Sequence, residues 1–164
     1  MTCTQAAAAL AAMLGLAGCS EPQLTAGNQP SFYSDLGRSD AVVDTAQARA
    51  MISAYRMNKG LGNLRLDGTL SAAALRVAQS MAASDTPASA DAVKQRLRRG
   101  GIVSPEVNLS AGYRSLAEAF SGWRDSPQHD RVMRNPGATR MGIATAYSPA
   151  SKYKVYWALV VAAD

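Results

Sequence analysis

The sequence predicts an α+β fold, and three observations carry the prediction. Amphipathic helical periods occupy the first two thirds of the chain, two strand-like runs close it, and the last of these is apolar on both faces, as a central strand must be. The chain has 164 residues, 48% of them hydrophobic and 18% charged, which suits a single packed domain. A domain near this size buries roughly 68–70% of its unfolded surface, so it needs neither metal nor disulfide to fold.

Residues 1–18 carry no charged side chain, and Ala6 to Leu16 is an unbroken apolar run of eleven. That is the length of a signal-peptide core and too short to cross a bilayer, which takes roughly 20 residues. The run ends in Leu16-Ala17-Gly18-Cys19, which resembles the lipobox of bacterial lipoproteins, where the cysteine is acylated and becomes the first residue. One feature departs from that pattern: Met1 to Gln5 include no Lys or Arg. Cys3 would leave with the signal, making Cys19 the only thiol that remains. The expected organisation is a signal peptide over 1–18, a lipidated Cys19 with a flexible tether over 19–42, and one domain over 43–164. Within the tether, Phe32 and Tyr33 are candidates for contact with the domain. Ser20, rather than Asp, after the cysteine resembles the sorting pattern for the outer membrane, facing the periplasm.

The first helix is expected from Thr45 to Asn58, with Asp44 as its N-cap and Gly60 just beyond its end. Met51, Ile52 and Tyr55 fall on one side of it. A glycine-containing loop, residues 60–64, leads to a second helix starting near Asp67–Thr69, where Leu70, Ala74, Val77 and Met81 form an apolar stripe. A short basic helix follows, opening at Ser89 or Asp91 and carrying Lys94, Arg96, Arg98 and Arg99, which read as one solvated face. Ile102 to Leu109 has room for a short strand, weakened by Pro105. Ser115-Leu116-Ala117-Glu118 is a capping box that opens a helix with Leu116, Phe120 and Trp123 on one face. Ser126-Pro127 is a second start signal, with Ser126 expected to cap through its hydroxyl. Arg140–Tyr147 and Tyr153–Val161 then read as strands around a Ser-Pro-Ala-Ser turn.

Composition narrows the chemistry. One His and two Cys cannot assemble a structural zinc site or a disulfide framework. A net charge of +5 meets the crude criterion for nucleic-acid binding, but export removes that class, leaving a weak attraction to an anionic envelope surface. Gly60-Leu61-Gly62-Asn63-Leu64-Arg65 lacks the third glycine and the preceding strand of a dinucleotide loop. Ser126, His129 and a nearby Asp sketch a hydrolytic triad. However, their spacing gives no evidence for a nucleophile, and capping would occupy the hydroxyl.

The order of the pieces resembles the CAP superfamily, which comprises the cysteine-rich secretory proteins, antigen 5 and the pathogenesis-related proteins. Ile52-Ser53-Ala54-Tyr55-Arg56, Gly60-Leu61, Leu64-Arg65-Leu66-Asp67, Leu70 and Ala74 resemble the opening of that domain. Val107-Asn108-Leu109 falls where the family has Glu-Asn-aliphatic, and Trp123-Arg124-Asp125-Ser126-Pro127-Gln128-His129 resembles its bacterial Trp-x-x-Ser-Pro-x-His motif. Met141-Gly142-Ile143-Ala144 and Tyr156-Trp157-Ala158-Leu159-Val160 match its two closing strands. The resemblance covers 43–164 and implies an α-β-α sandwich around a central antiparallel sheet.

Many members carry a cleft tetrad of two His and two Glu able to hold a divalent cation. Position by position, the last His is His129. One Glu is Val107, with Glu106 one place earlier and expected to point the other way. The second Glu falls on Ser126, and the stretch that should supply the first His, residues 84–92, has none. A lone imidazole does not enclose zinc. Glu106, Asp125 and Asp130 have no spacing that brings them onto one calcium ion. His129 is therefore either a structural residue in the first turn of a helix or a cleft residue that touches ligand. The helix dipole is expected to favour its neutral form.

These readings imply a monomeric, non-catalytic lipoprotein that needs no metal or cofactor and is held to the membrane through Cys19. Its degenerate cleft (Val107, Asn108, Ser126 and His129) would take a small apolar or peptidic ligand. A protein-binding envelope scaffold and a metal-dependent envelope hydrolase are the alternatives.

Overall fold

The computed structural model describes residues 30–164; the expected signal peptide and Cys19 lie outside the described residues. Five helices surround a four-stranded sheet. They are α1 (Thr45–Met57), α2 (Gly68–Ser84), α3 (Ala90–Arg99), α4 (Leu116–Asp125) and α5 (Pro127–Met133). The strands are β1 (Arg65–Leu66), β2 (Glu106–Ala111), β3 (Arg140–Tyr147) and β4 (Val155–Ala162), in the order β1-β3-β4-β2. β2, β4 and β3 are antiparallel neighbours, as expected. The sheet as a whole is mixed, because β1 pairs with β3 in parallel within a segment that reads as loop in the sequence. Two residues carry too little periodicity to announce a strand. What fixes them is the backbone ladder, Arg65 N–H to Thr139 O at 3.0 Å and Asp67 N–H to Met141 O at 2.9 Å.

Both faces of β4 are buried, and its alternation feeds two separate cores. Val155, Trp157, Leu159 and Val161 join Ile52, Trp123 and Met133 on the α1, α4 and α5 side. Tyr156, Ala158, Val160 and Ala162 join the α2 and α3 side with Leu70, Ala74, Val77, Met81, Val93 and Leu97. The period of two along one strand thus serves two helical layers, which is the physical content of an α-β-α sandwich.

Caps set the helix starts. The Asp44 side chain accepts from Gln47 N–H at 2.9 Å and Asp67 from Leu70 N–H at 2.9 Å. Ser115 Oγ accepts from Glu118 N–H at 3.2 Å. The Glu118 carboxylate, however, reaches past the cap to Arg114 N–H at 2.7 Å, instead of to Ser115 as the capping box implies. Ser126 opens α5 through its backbone oxygen, which accepts from Asp130 N–H at 2.8 Å, and its hydroxyl makes no cap bond. β2 starts at Glu106 and not at Ile102, because Gly101 and Ser104 adopt positive φ and turn the chain before the strand begins.

Residues 31–42, which composition assigns to the tether, lie on the domain together with Val43. Leu36 and Val43 are buried in the first core, with Phe32 and Ala41 packed against it. Leu36 N–H reaches Arg114 O at 2.7 Å, and Asp35 pairs with Arg114 at 2.7 Å. Phe32 packs against the core as expected, while Tyr33 is exposed; the docking of Leu36 is not legible in the sequence because the apolar side chains here follow no period.

Candidate functional site

A cleft of about 720 Å³ opens beside β2, between α3 and α5. Val107 and Leu109 of β2, Ala88 and Ala90 at the start of α3, and Val132 of α5 give it an apolar lining. Its charged lining is Lys94, Glu106, Arg131 and Arg134, joined by the polar Gln128, Asn135 and His129. Cations therefore frame an apolar interior.

The four residues expected to form the site take different places. Val107 is buried and lines the cleft, on the α2–α3 side of the sheet. His129 is half-buried and also lines it. Asn108, the next residue along β2, is completely buried and touches the cleft only through His129. Its Nδ2 donates to His129 O at 3.0 Å, and its Oδ1 lies 3.1 Å from His129 Nδ1. Ser126 does not line the cleft, and its hydroxyl bonds neither His129 nor the α5 amides. With Nδ1 turned to Asn108, the sketched triad has neither its nucleophile–base bond nor its acid.

His129 has a structural role and also faces the cleft. Its backbone oxygen anchors β2 to α5, and its ring lines the cleft. Burial pushes its imidazole pKa below the ordinary 6.5, which favours the neutral form. The expected bias is present, but burial is its cause; α5 is only seven residues long.

Lys94 is not part of a solvated face. It is largely covered and lies 3.0 Å from Asp91 and 3.4 Å from Glu106. The hydrogen bond to Asp91, followed by the charge of Glu106, holds its pKa above the ordinary value. This pair also explains why Glu106 reaches the cleft despite its alternation with Val107: it sits at the strand's first position, drawn toward α3. Arg134 is bound to Asp130 at 2.7 Å, and Asp130 also accepts from the Tyr55 hydroxyl at 2.7 Å. Arg131 has no ion pair and no hydrogen bond among the described residues.

Arg56 was not singled out as functional by the sequence, yet it shapes the cleft's far wall. It is 1% exposed and has no carboxylate partner. Its guanidinium donates to the carbonyls of Gly62, Met133 and Asn135, each at 2.8 Å, and of Ala138 at 3.0 Å. These bonds tie α1 to the end of α5 and to the turn that holds Asn135 and Pro136. Burial lowers its pKa.

Among the described residues, no three His, Cys, Asp or Glu side chains gather as a metal site would require. Asp125 is paired with Arg124, Asp130 with Arg134, and Glu106 with Lys94. No helix among the described residues is long and apolar enough to cross a membrane.

The sequence profile of the cysteine-rich secretory protein family (CAP) matches residues 49–161. A search of curated proteins finds no match. Among solved structures, the fold is similar to an extracellular protein containing an SCP domain from Bacillus anthracis, with TM-score 0.60 at 19% identity. That alignment covers 73% of this chain and 40% of the other. An outer surface protein of Borrelia burgdorferi matches with TM-score 0.63 at 17% identity, over 75% of this chain and 97% of the other. A cysteine-rich secretory protein of Staphylococcus aureus matches with TM-score 0.58 at 17% identity, over 73% and 38%. The chain thus spans well under half the length of two of these proteins, and at such identities the likeness is one of fold.

Proposed function

The chain belongs to the cysteine-rich secretory protein (CAP) family, and from that membership we propose that it is an exported, lipid-anchored envelope protein whose domain binds a small ligand without catalysis. The observation that supports this reading is the cleft beside β2. An apolar interior formed by Val107, Leu109 and Val132, bounded by cations and one neutral imidazole, suits the capture of a small molecule with an apolar body. Hydrolysis has less support, because the Ser126 hydroxyl is disengaged and Glu106, Asp125 and Asp130 are each paired with a cation. Export is supported by the signal-like N-terminus and by the extracellular and surface descriptions of two structural relatives. Anchoring rests on Cys19 and the small residues before it.

Val107→Glu tests the site. It places a carboxylate in the apolar interior, and burying a charge there is costly. Uptake of an apolar fluorescent probe by the purified domain should fall at least several-fold, while Arg98→Ala, on the exposed face of α3, should leave it unchanged. Equal uptake by wild type and Val107→Glu would remove the cleft from the account and favour a scaffold that binds protein elsewhere.

A further inference from the structure

The Asn108–His129 pair settles a proton position that the fold alone leaves open. His129 O is a carbonyl and can only accept, so the group of Asn108 that faces it at 3.0 Å must be the amide NH₂. The other end of the same side chain is then Oδ1, which can only accept, and it faces His129 Nδ1 at 3.1 Å. A neutral imidazole carries one N–H, and the contact is a hydrogen bond only when that hydrogen is on Nδ1. Nε2 is left with a bare lone pair. No described group bonds it, and no buried side-chain nitrogen lacks a partner. Nε2 is therefore open to the cleft that the ring lines.

We infer that Asn108 fixes His129 as the Nδ1-protonated imidazole, and that the cleft takes a ligand bringing an N–H or O–H donor for Nε2 beside an anionic group for Arg131. This rests on reading the cleft as a ligand site and names the chemistry it selects. The anion follows from the lining. Lys94, Arg131 and Arg134 face a single carboxylate, Glu106. Lys94 is engaged by Asp91 and Glu106, and Arg134 by Asp130, so Arg131 is the uncommitted cation. The donor follows from Nε2, and an apolar group follows from Val107, Leu109 and Val132. An N-acyl amino acid unites all three, with a carboxylate, the neighbouring amide N–H and an apolar side chain. The free C-terminus of a peptide presents the same chemistry.

The sequence contains one His, so ¹⁵N NMR of the labelled protein reads a single imidazole. The neutral form should show a protonated Nδ1 and an unprotonated Nε2; a protonated Nε2 overturns the assignment. Asn108 acts through His129, so its role is one of positioning. Asn108→Asp keeps an oxygen at Nδ1 but adds charge, and should move the His129 titration midpoint up by about one pH unit or more. The charged groups that face the same cleft (Lys94 from α3, Glu106 from β2, and Arg131 and Arg134 from α5 and its end) are unchanged by that substitution, so a midpoint that does not rise contradicts the pairing.

The ligand arm uses N-acetyl-leucine, read on the His129 imidazole and Val107 amide signals. Methylation of its amide nitrogen, conversion of its carboxylate to an amide, and Arg131→Gln should each weaken binding by about fivefold, the usual worth of one hydrogen bond. Tighter binding of a leucine-ended acetylated tripeptide would identify a peptide C-terminus as the source; equal binding would identify the acyl amino acid itself. If an apolar probe enters but N-acetyl-leucine does not, or binds regardless of its N–H, the assignment fails alone. If neither enters, the reading of the cleft as a ligand site fails with it.

Discussion

At the residue scale, the fold depends on polar groups buried with complete sets of partners. Arg56 is the clearest case. An unpaired charge in a core is costly, but this guanidinium, carried by α1, directs its donors to four carbonyls in the loop to β1, the end of α5 and the turn before β3. Its planar fork reaches in several directions at once, which an ammonium cannot reproduce. Arg56→Lys should therefore cost at least about 2 kcal/mol, by stranding buried carbonyls. Chemical denaturation should show it as a lower midpoint, with Arg98→Ala within about 0.5 kcal/mol of wild type as the surface comparison. Asn108 belongs to the same class. Neither partner set was legible in the sequence, because the Asn108–His129 contact spans 21 positions and the Arg56 contacts span up to 82. Residue identity announces that such groups need partners; only the fold supplies them.

At the element scale, what was legible is what local physics controls. The stripes of α1 and α2 face the cores that their spacing implies, and the cap residues Asp44, Asp67, Ser89 and Ser115 open helices where expected. The misread details share one cause. The two-residue β1, the docking of Leu36, the position of Lys94 and the reach of Glu118 are set by tertiary neighbours rather than by local pattern. Gly142 shows how close those neighbours come. A Cβ on this β3 residue would land inside the backbone of Leu70 and Ser71, so only glycine lets the first turn of α2 lie directly on the strand. Gly142→Ala should destabilise the domain by about 1–3 kcal/mol, through forced separation of α2 from β3. Gly62→Ala, where the added carbon meets nothing within 4 Å, serves as the control in the same thermal melts. Equal melting temperatures for the two variants would show that α2 is not held as tightly as the contact implies.

At the scale of the whole molecule, the sheet divides labour between its two sides. One core holds Trp123 and Trp157 edge to face, with ring centroids 6.0 Å apart, and fastens the N-terminal stretch to the body. The other supports the wall formed by Val107 and α3. Both cores are built from residues 36–162, so the proposed lipid on Cys19 is expected to set the protein's address and not its fold. Cys19→Ser should move the protein from the detergent-extracted membrane fraction to the soluble fraction, or leave it unprocessed, while its melting temperature as a purified domain stays the same. A wild-type protein already soluble would contradict the anchor.

The central claim is that the cleft beside β2 holds a small molecule. Native mass spectrometry of the protein purified from its own host measures this most directly. Wild type should carry added mass beyond the polypeptide and its lipid, and that mass should be lost when Val107→Glu blocks the interior and reduced when Arg131→Glu reverses the charge at the rim. The second substitution lies on an exposed residue and leaves the core untouched. Bare polypeptide in the wild type, or the same added mass in all three proteins, would contradict the account.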